Sequence, residues 1–141
     1  MGTFQPVLND PDPMVQANPG RVARVLLCTG KLYYDLQLEA AKLGERRPAI
    51  VRIEGLYSFL EEPIRAVLAS YSGAKEFIWA QEEPRNMGAW AFIAPRLAGV
   101  LPAGAELRYV GRPERASPAE GYPEAHSAEQ ARMVLEALGE V

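Results

Sequence analysis

Carboxylates follow two apolar segments of this sequence at the point where each segment ends. Glu54 closes the segment 49–54, and Glu82 and Glu83 come soon after the apolar residues 77–80. In open α/β proteins the carboxyl ends of parallel strands meet at one edge of the sheet, where ligands bind. Carboxylates gathered there could hold Mg²⁺ or act as a general acid and base. No nucleophile or second histidine accompanies them, so the sequence favours solvated carboxylates paired with nearby arginines.

A glycine and a lysine occupy the equivalent position after an earlier apolar segment. Gly30 and Lys31 precede a segment with helical spacing, and a helix N-terminus can bind an anion. The spacing of a phosphate-binding P-loop is absent, as is any G-x-G-x-x-G motif. An ordinary strand-to-helix turn is therefore favoured over a nucleotide site. Together with the glutamates these residues define a candidate strand-end crevice: Gly30, Lys31, Glu54, Glu82 and Glu83.

Residue types that commonly act as nucleophiles, bases or metal ligands are scarce. The single cysteine, Cys28, lies within an apolar run, which predicts a buried, unreactive side chain. The only histidine, His126, directly precedes the predicted start of the last helix, with no nucleophile beside it. The sequence therefore predicts no catalytic residue, no bound cofactor and no metal site.

Composition narrows the class of protein. The 141 residues carry a net charge of −3, and the only basic cluster is Arg46-Arg47. This argues against nucleic acid and against an anionic membrane as partners, because both require clustered basic side chains. No apolar run approaches the ~20 residues that a membrane-spanning helix needs. With one cysteine and no signal-peptide pattern, we expect a cytoplasmic protein.

Apolar runs alternate with helix-spaced segments from Ala23 onward, which predicts an α/β fold. The predicted strands are 23–29, 49–54, 75–81 and 106–111. The predicted helices are 31–43, 63–71, 87–98 (with Pro95 kinking or shortening it) and one that begins at Ser127. Short connections between such units favour a three-layer sandwich, with a mostly parallel sheet between helices.

The first 20 residues differ in composition from the remainder. They contain four prolines interspersed with Asn, Asp and Gly, so we predict an extended linker, 1–20, that cannot form a helix, followed by one domain, 21–141. Such a segment is typical both of a connector arriving from a longer polypeptide and of a disordered N-terminal tail. Composition alone leaves the two interpretations open.

Large aromatic side chains flank the predicted strand ends. Tyr33, Tyr34, Trp90 and Phe92 suit either the core or an association surface. Asn86 supplies a side-chain oxygen where the third predicted helix begins. These five residues form a candidate interface.

Four runs of sequence resemble a known family. They are V-L-L-C-T-G-K-L-Y-Y-D-L (25–36), A-I-V-R-I-E-G-L-Y-S-F (49–59), W-A-Q-E-E-P-R-N-M-G-A-W (79–90) and L-R-Y-V-G-R-P-E-R-A-S-P-A-E-G (107–121). They resemble the C-terminal domain of 2-oxoglutarate dehydrogenase, the thiamine-diphosphate-dependent decarboxylating component of a multienzyme complex. The resemblance extends over residues 21–138, and the leader G-T-F-Q-P-V is similar to that family's link into the domain.

The resemblance implies a transketolase C-terminal-like domain that supports a homodimer and is inactive alone. In the family, thiamine diphosphate and Mg²⁺ belong to the preceding catalytic domains of the same polypeptide. The parent enzyme decarboxylates 2-oxoglutarate and transfers succinyl to the lipoamide of a succinyltransferase component. The alternative expectation is a free-standing regulatory module that binds a nucleotide or an acyl-CoA in the strand-end crevice.

Overall fold

The structure is a computed structural model that describes residues 5–56, 59–112 and 123–140, with side chains of the last range described from residue 127. The strands are β1 (Val7–Leu8), β2 (Arg24–Cys28), β3 (Ala49–Ile53), β4 (Glu76–Pro84) and β5 (Glu106–Arg112). The α-helices are α1 (Pro13–Gln16), α2 (Leu32–Ala40), α3 (Glu61–Ala69), α4 (Trp90–Ala98) and α5 (Pro123–Leu138). Short 3-10 helices occupy Pro19–Arg21 and Ala41–Arg46.

The five strands form one sheet in the order β1-β3-β2-β4-β5. β2, β3, β4 and β5 are parallel, and β1 pairs antiparallel with β3 at one end of the sheet. This confirms the predicted α/β fold with a mostly parallel sheet. The chain proceeds from β2 to one neighbour, β3, and later crosses to the other neighbour, β4. The gap between the ends of β2 and β4 is therefore the topological switch point of the sheet.

Alternating side chains of each central strand pack against different helices, which creates the three layers. Leu27 and Trp79 share one core with α3 and α4. Leu26, Cys28 and Ile78 share the other core with α2 and α5. The near-continuous apolar runs of β2 and β4 follow from this burial on both faces. No helix in the described ranges is long and apolar enough to cross a membrane.

The N-terminal segment contradicts the prediction that it cannot form a helix. Asp12 accepts a hydrogen bond from the Met14 backbone N–H at 2.8 Å, and Pro13 takes the first helical position, where its missing N–H has no cost. The four-residue helix α1 results. The prediction considered proline only as a helix breaker. The position of the linker boundary at residue 20 stays a prediction.

A buried ion pair joins this segment to the body of the domain. Asp10 is fully buried and pairs with the guanidinium of Arg47, which also contacts Asp12 at 2.7 Å. The Asp10 carboxylate also accepts a hydrogen bond from the Ile50 backbone N–H at 2.8 Å, which ties the segment to β3. Removing one partner of such a buried pair strongly destabilises a fold. The pair therefore fixes the path of the segment.

Several predicted boundaries are wrong. The helix predicted at 31–43 ends at Ala40 and continues as a 3-10 helix to Arg46, and the helix predicted at 63–71 spans Glu61–Ala69. β4 continues to Pro84 instead of ending at 81, because after a register irregularity Pro84 pairs with Arg112 of β5. The following helix begins at Trp90 instead of near Met87, and it runs through Pro95 to the predicted end at Ala98. The last helix begins at Pro123, a favourable first-turn residue, instead of Ser127.

Candidate functional site

A cavity of about 250 Å³ lies at the switch point of the sheet. The turn after β2 supplies one wall, through Thr29, Gly30 and Lys31. The end of β4 and the residues after it supply the other: Gln81, Glu82, Glu83, Gly88 and Ala89. Parallel strands with opposite connections leave such a crevice outside their carboxyl ends. The topology thus brings together two segments that are about 50 residues apart in the chain.

Four of the five residues predicted for the strand-end crevice line this cavity, and one does not. Gly30, Lys31, Glu82 and Glu83 are in its wall. Glu54 instead accepts a hydrogen bond from Arg52 at 2.8 Å, at the end of β3. Within the described residues, no group of His, Cys, Asp and Glu side chains could hold a metal ion.

The side chain of Gln81 organises one wall of the cavity. Gln81 is 4% exposed, and its Oε1 accepts hydrogen bonds from the Trp79 indole N–H at 2.9 Å and the Trp90 backbone N–H at 3.1 Å. The two N–H groups of its Nε2 donate to three backbone carbonyls at 2.8–3.1 Å, those of Glu83, Pro84 and Met87, so two of these carbonyls share one N–H. A single amide therefore holds residues 82–90 in place. The amide also pairs with the Trp90 N–H in the first turn of α4, which has no partner within the helix. Ala89, the residue before the helix, provides no side-chain cap.

A positive backbone φ makes this wall specific for glycine at one position. Gly88 has φ +66°, and an added Cβ would lie 2.9 Å from Glu83 Oε1 and 3.3 Å from Gln81 Nε2. Asn86 lies in the same turn and is exposed, and it does not begin the helix as predicted. The turn instead brings Gly88 and Ala89 against the cavity.

Among the residues that the structure describes, those that line the cavity include no histidine and no cysteine. Cys28, one residue before Thr29, is fully buried, and burial raises the pKa of its thiol to about 12. This agrees with the predicted buried cysteine, because a protonated, inaccessible thiol is a poor nucleophile. The cavity can hold polar or charged groups of a small molecule, through the side chains of Lys31, Glu82 and Glu83.

The candidate interface residues occupy two places. Tyr33 and Tyr34 lie at the start of α2, with their rings 5.2 Å apart in an edge-to-face arrangement. The guanidinium of Arg52 lies 4.4 Å from the Tyr33 ring centroid and 5.6 Å from that of Tyr34. Tyr34 is 62% exposed, whereas Tyr33 is half-buried.

Trp90 and Phe92 lie on α4 and are each half-buried. The Trp90 ring packs 5.2 Å from the ring of Tyr109, and the exposed Arg85 covers both rings at 5.6 and 5.2 Å. Arg96 lies 3.6 Å above the ring of Phe92. Both aromatic residues thus combine packing within the domain with partial exposure.

A sequence model of the family described as 2-oxoglutarate dehydrogenase C-terminal matches residues 1–138. The chain belongs to this family. The 2-oxoglutarate dehydrogenase E1 component of Geobacillus kaustophilus is 46% identical over 138 residues. The corresponding proteins of Rickettsia prowazekii and Haemophilus influenzae are 41% and 39% identical. Each match covers 97–98% of this chain but only 14% of the relative's length.

The family assignment confirms the resemblance read from the four sequence runs. Three of those runs, 25–36, 49–59 and 79–90, contribute residues to the switch-point cavity, the second through Leu56 alone.

Sequence reasoning missed Gln81, although a signal was present. Phe77, Trp79 and Gln81 alternate along β4, and the first two are fully buried on the same face. An amide at the next inward position of an apolar strand must find hydrogen-bond partners, since burying it unpaired is costly. The pairing of Asp10 with Arg47 had no comparable signal, because 37 residues separate the two.

Proposed function

We propose that this chain acts as the C-terminal domain of a 2-oxoglutarate dehydrogenase E1 component. In that role it supports the dimer of an enzyme that decarboxylates 2-oxoglutarate and transfers succinyl to lipoamide on a succinyltransferase component. Thiamine diphosphate and Mg²⁺ bind to the preceding catalytic domains, and the domain alone has no turnover. The enzyme acts in the cytoplasm, without a nucleic acid or membrane partner.

The family match over residues 1–138 carries this proposal. The buried position of Cys28 is consistent with it, because a buried thiol is a poor nucleophile.

Turnover by the chain alone is the simplest test. The purified 141-residue chain is incubated with thiamine diphosphate, Mg²⁺, 2-oxoglutarate and an artificial electron acceptor. We expect no reduction of the acceptor above the rate without protein. Reduction that depends on both 2-oxoglutarate and thiamine diphosphate would contradict the assignment of catalysis to other domains.

A regulatory module that binds a nucleotide or an acyl-CoA is the second candidate. The switch-point cavity favours it, because this is where open α/β sheets bind nucleotides. Its volume of about 250 Å³ argues against it, since pockets for drug-sized ligands typically measure about 300–1,000 Å³. Isothermal titration with AMP and with acetyl-CoA separates the candidates. Saturable binding that is lost in the Lys31→Ala variant would favour the regulatory module, and no heat at millimolar ligand would exclude it for this chain.

A further inference from the structure

The direction of β1 shows where the polypeptide enters this domain. Because β1 is antiparallel to β3, with Val7 opposite Ile53, the residues before β1 lead toward the carboxyl end of β3. A hydrogen bond of 2.9 Å from Glu54 N–H to the Pro6 carbonyl extends this pairing beyond the strand. Pro6 therefore lies at the carboxyl edge of the sheet.

Four side chains in mutual contact lie at the end of β3 and on α2 next to this point, and we call them the entry patch: Tyr33, Tyr34, Arg52 and Glu54. Leu8 pairs with Arg52, so the patch lies directly beside β1. Tyr34 is 62% exposed, so most of its side chain is available to a partner.

The entry patch is held in position before any partner binds. Arg52 is fixed by its ion pair with Glu54 at 2.8 Å and by its contact with the Tyr33 ring. Partial burial by itself lowers the pKa of the Arg52 guanidinium, because it disfavours the charged form. The hydrogen bond and the negative charge of Glu54 have a larger, opposite effect, so the pKa is raised. Tyr33 in turn supports Tyr34 edge-to-face and accepts a hydrogen bond from Gln37 at 3.1 Å. Side chains that are already ordered lose little entropy on binding.

Exposed tyrosine and ordered arginine are the side chains that contribute most at protein interfaces. We infer that the entry patch is the surface on which the folded domain preceding this one in the same polypeptide packs. The partner surface covers the Tyr34 ring with apolar groups and offers polar groups to Arg52 and Glu54. This inference rests on the proposed function, in which the remaining length of the E1 component precedes the chain.

Thiol labelling tests the inference. Cys28 is fully buried, so a cysteine introduced by Tyr34→Cys is selectively reactive in the native chain. Its rate of maleimide labelling is measured by peptide mass spectrometry in two proteins. One is the 141-residue chain, and the other is a chimera in which this chain replaces the matched region of the Geobacillus kaustophilus E1 component. Leu135→Cys is the matched control, since Leu135 is a large exposed side chain on the helix layer that contains α2.

We expect the cysteine at position 34 to react at least about tenfold more slowly in the chimera than in the free chain, and the cysteine at position 135 to react equally in both. Equal rates at position 34 would overturn the inference. Labelling that slows as the free chain is concentrated would also overturn it, because a second copy would then cover the patch. Hydroxyl-radical footprinting compares the accessibility of the Tyr34 ring in the free chain and in the chimera without a substitution, and we expect less oxidation of Tyr34 in the chimera. The proposed function is tested separately by whether the chimera turns over 2-oxoglutarate.

Discussion

Replacing Gln81 with leucine should lower the free energy of unfolding more than replacing an exposed residue in the wall of the switch-point cavity. Leucine has a similar volume but neither accepts nor donates hydrogen bonds. The Gln81→Leu variant therefore leaves the Trp79 indole N–H buried without its partner and the Trp90 backbone N–H uncapped. Three backbone carbonyls lose their donor at the same time.

The magnitude follows from which groups water can reach. Trp79 is fully buried, so its orphaned N–H should cost about 1–3 kcal/mol. The Trp90 N–H and the Pro84 carbonyl should each add about 0.5–1.5 kcal/mol, because they lie in partly or fully buried surroundings. Water can replace the amide at the other two carbonyls. We therefore expect the free energy of unfolding to fall by about 2–6 kcal/mol.

Urea unfolding followed by tryptophan fluorescence measures this change. The chain has two tryptophans, Trp79 and Trp90, and both donate to Gln81, so the signal reports directly on the altered contacts. A double-mutant cycle with Trp79→Phe isolates the indole hydrogen bond. Phenylalanine removes the buried donor, so Trp79→Phe should cost less in the Gln81→Leu background than alone, with a coupling of about 1 kcal/mol or more.

Gln37→Leu is the matched control, because Gln37 is a half-buried glutamine with two side-chain hydrogen bonds, to Asp10 and Tyr33. It should cost about 1 kcal/mol. The reasoning is refuted if Gln81→Leu costs no more than Gln37→Leu, or if the two substitutions in the cycle are simply additive.

Four further predictions concern other parts of the fold. Asp10→Asn should lower the free energy of unfolding by about 3–5 kcal/mol, because it leaves buried Arg47 without a counter-charge; an effect below 1 kcal/mol in urea unfolding would show that the pair is dispensable. Gly88→Ala should cost about 1–2 kcal/mol in the same measurement, because the left-handed backbone disfavours a side chain there. Partial burial by itself raises the pKa of Glu76, but its two arginine partners have a larger effect and lower that pKa. The stabilisation from Glu76 is therefore present above its ordinary pKa of 4.5 and is lost as the pH falls through the lowered value. The stability difference between wild type and Glu76→Gln, measured by urea unfolding from pH 7 downward, should therefore shrink on acidification, and a difference that is constant with pH would contradict this. Cys28 should react with a thiol reagent at neutral pH only when the chain unfolds, and rapid labelling of the native chain would contradict its burial.

The fold class was predictable because burial on both faces leaves a clear mark on the sequence. The runs around Leu26 and Ile78 are apolar without interruption, as strands covered by helices on both faces must be. The order of the strands was not predictable. It depends on which neighbours of β2 the chain visits first, and hydrophobic periodicity does not record that choice.

The candidate crevice was largely predictable, whereas its supports were not. Gly30 and Glu82 were placed at strand ends, and parallel strands bring such ends to one edge. Glu54 does not line the cavity, although Leu56 two residues later does, and its carboxylate pairs with Arg52 of β3 instead. Asp10 and Gln81 owe their roles to partners set by the tertiary fold, so local pattern did not reveal the Asp10 pair and signalled only that Gln81 needs partners.

The central claim is that this chain completes a 2-oxoglutarate dehydrogenase E1 component without supplying its chemistry. The most direct test deletes the matched C-terminal region from the Geobacillus kaustophilus E1 component and then replaces it with this chain, using turnover of 2-oxoglutarate and sedimentation equilibrium as readouts. We predict that the deletion abolishes both the dimer and turnover, and that the chain restores both. A truncated enzyme that stays dimeric and active, or a soluble chimera that neither dimerises nor turns over 2-oxoglutarate, would contradict the account.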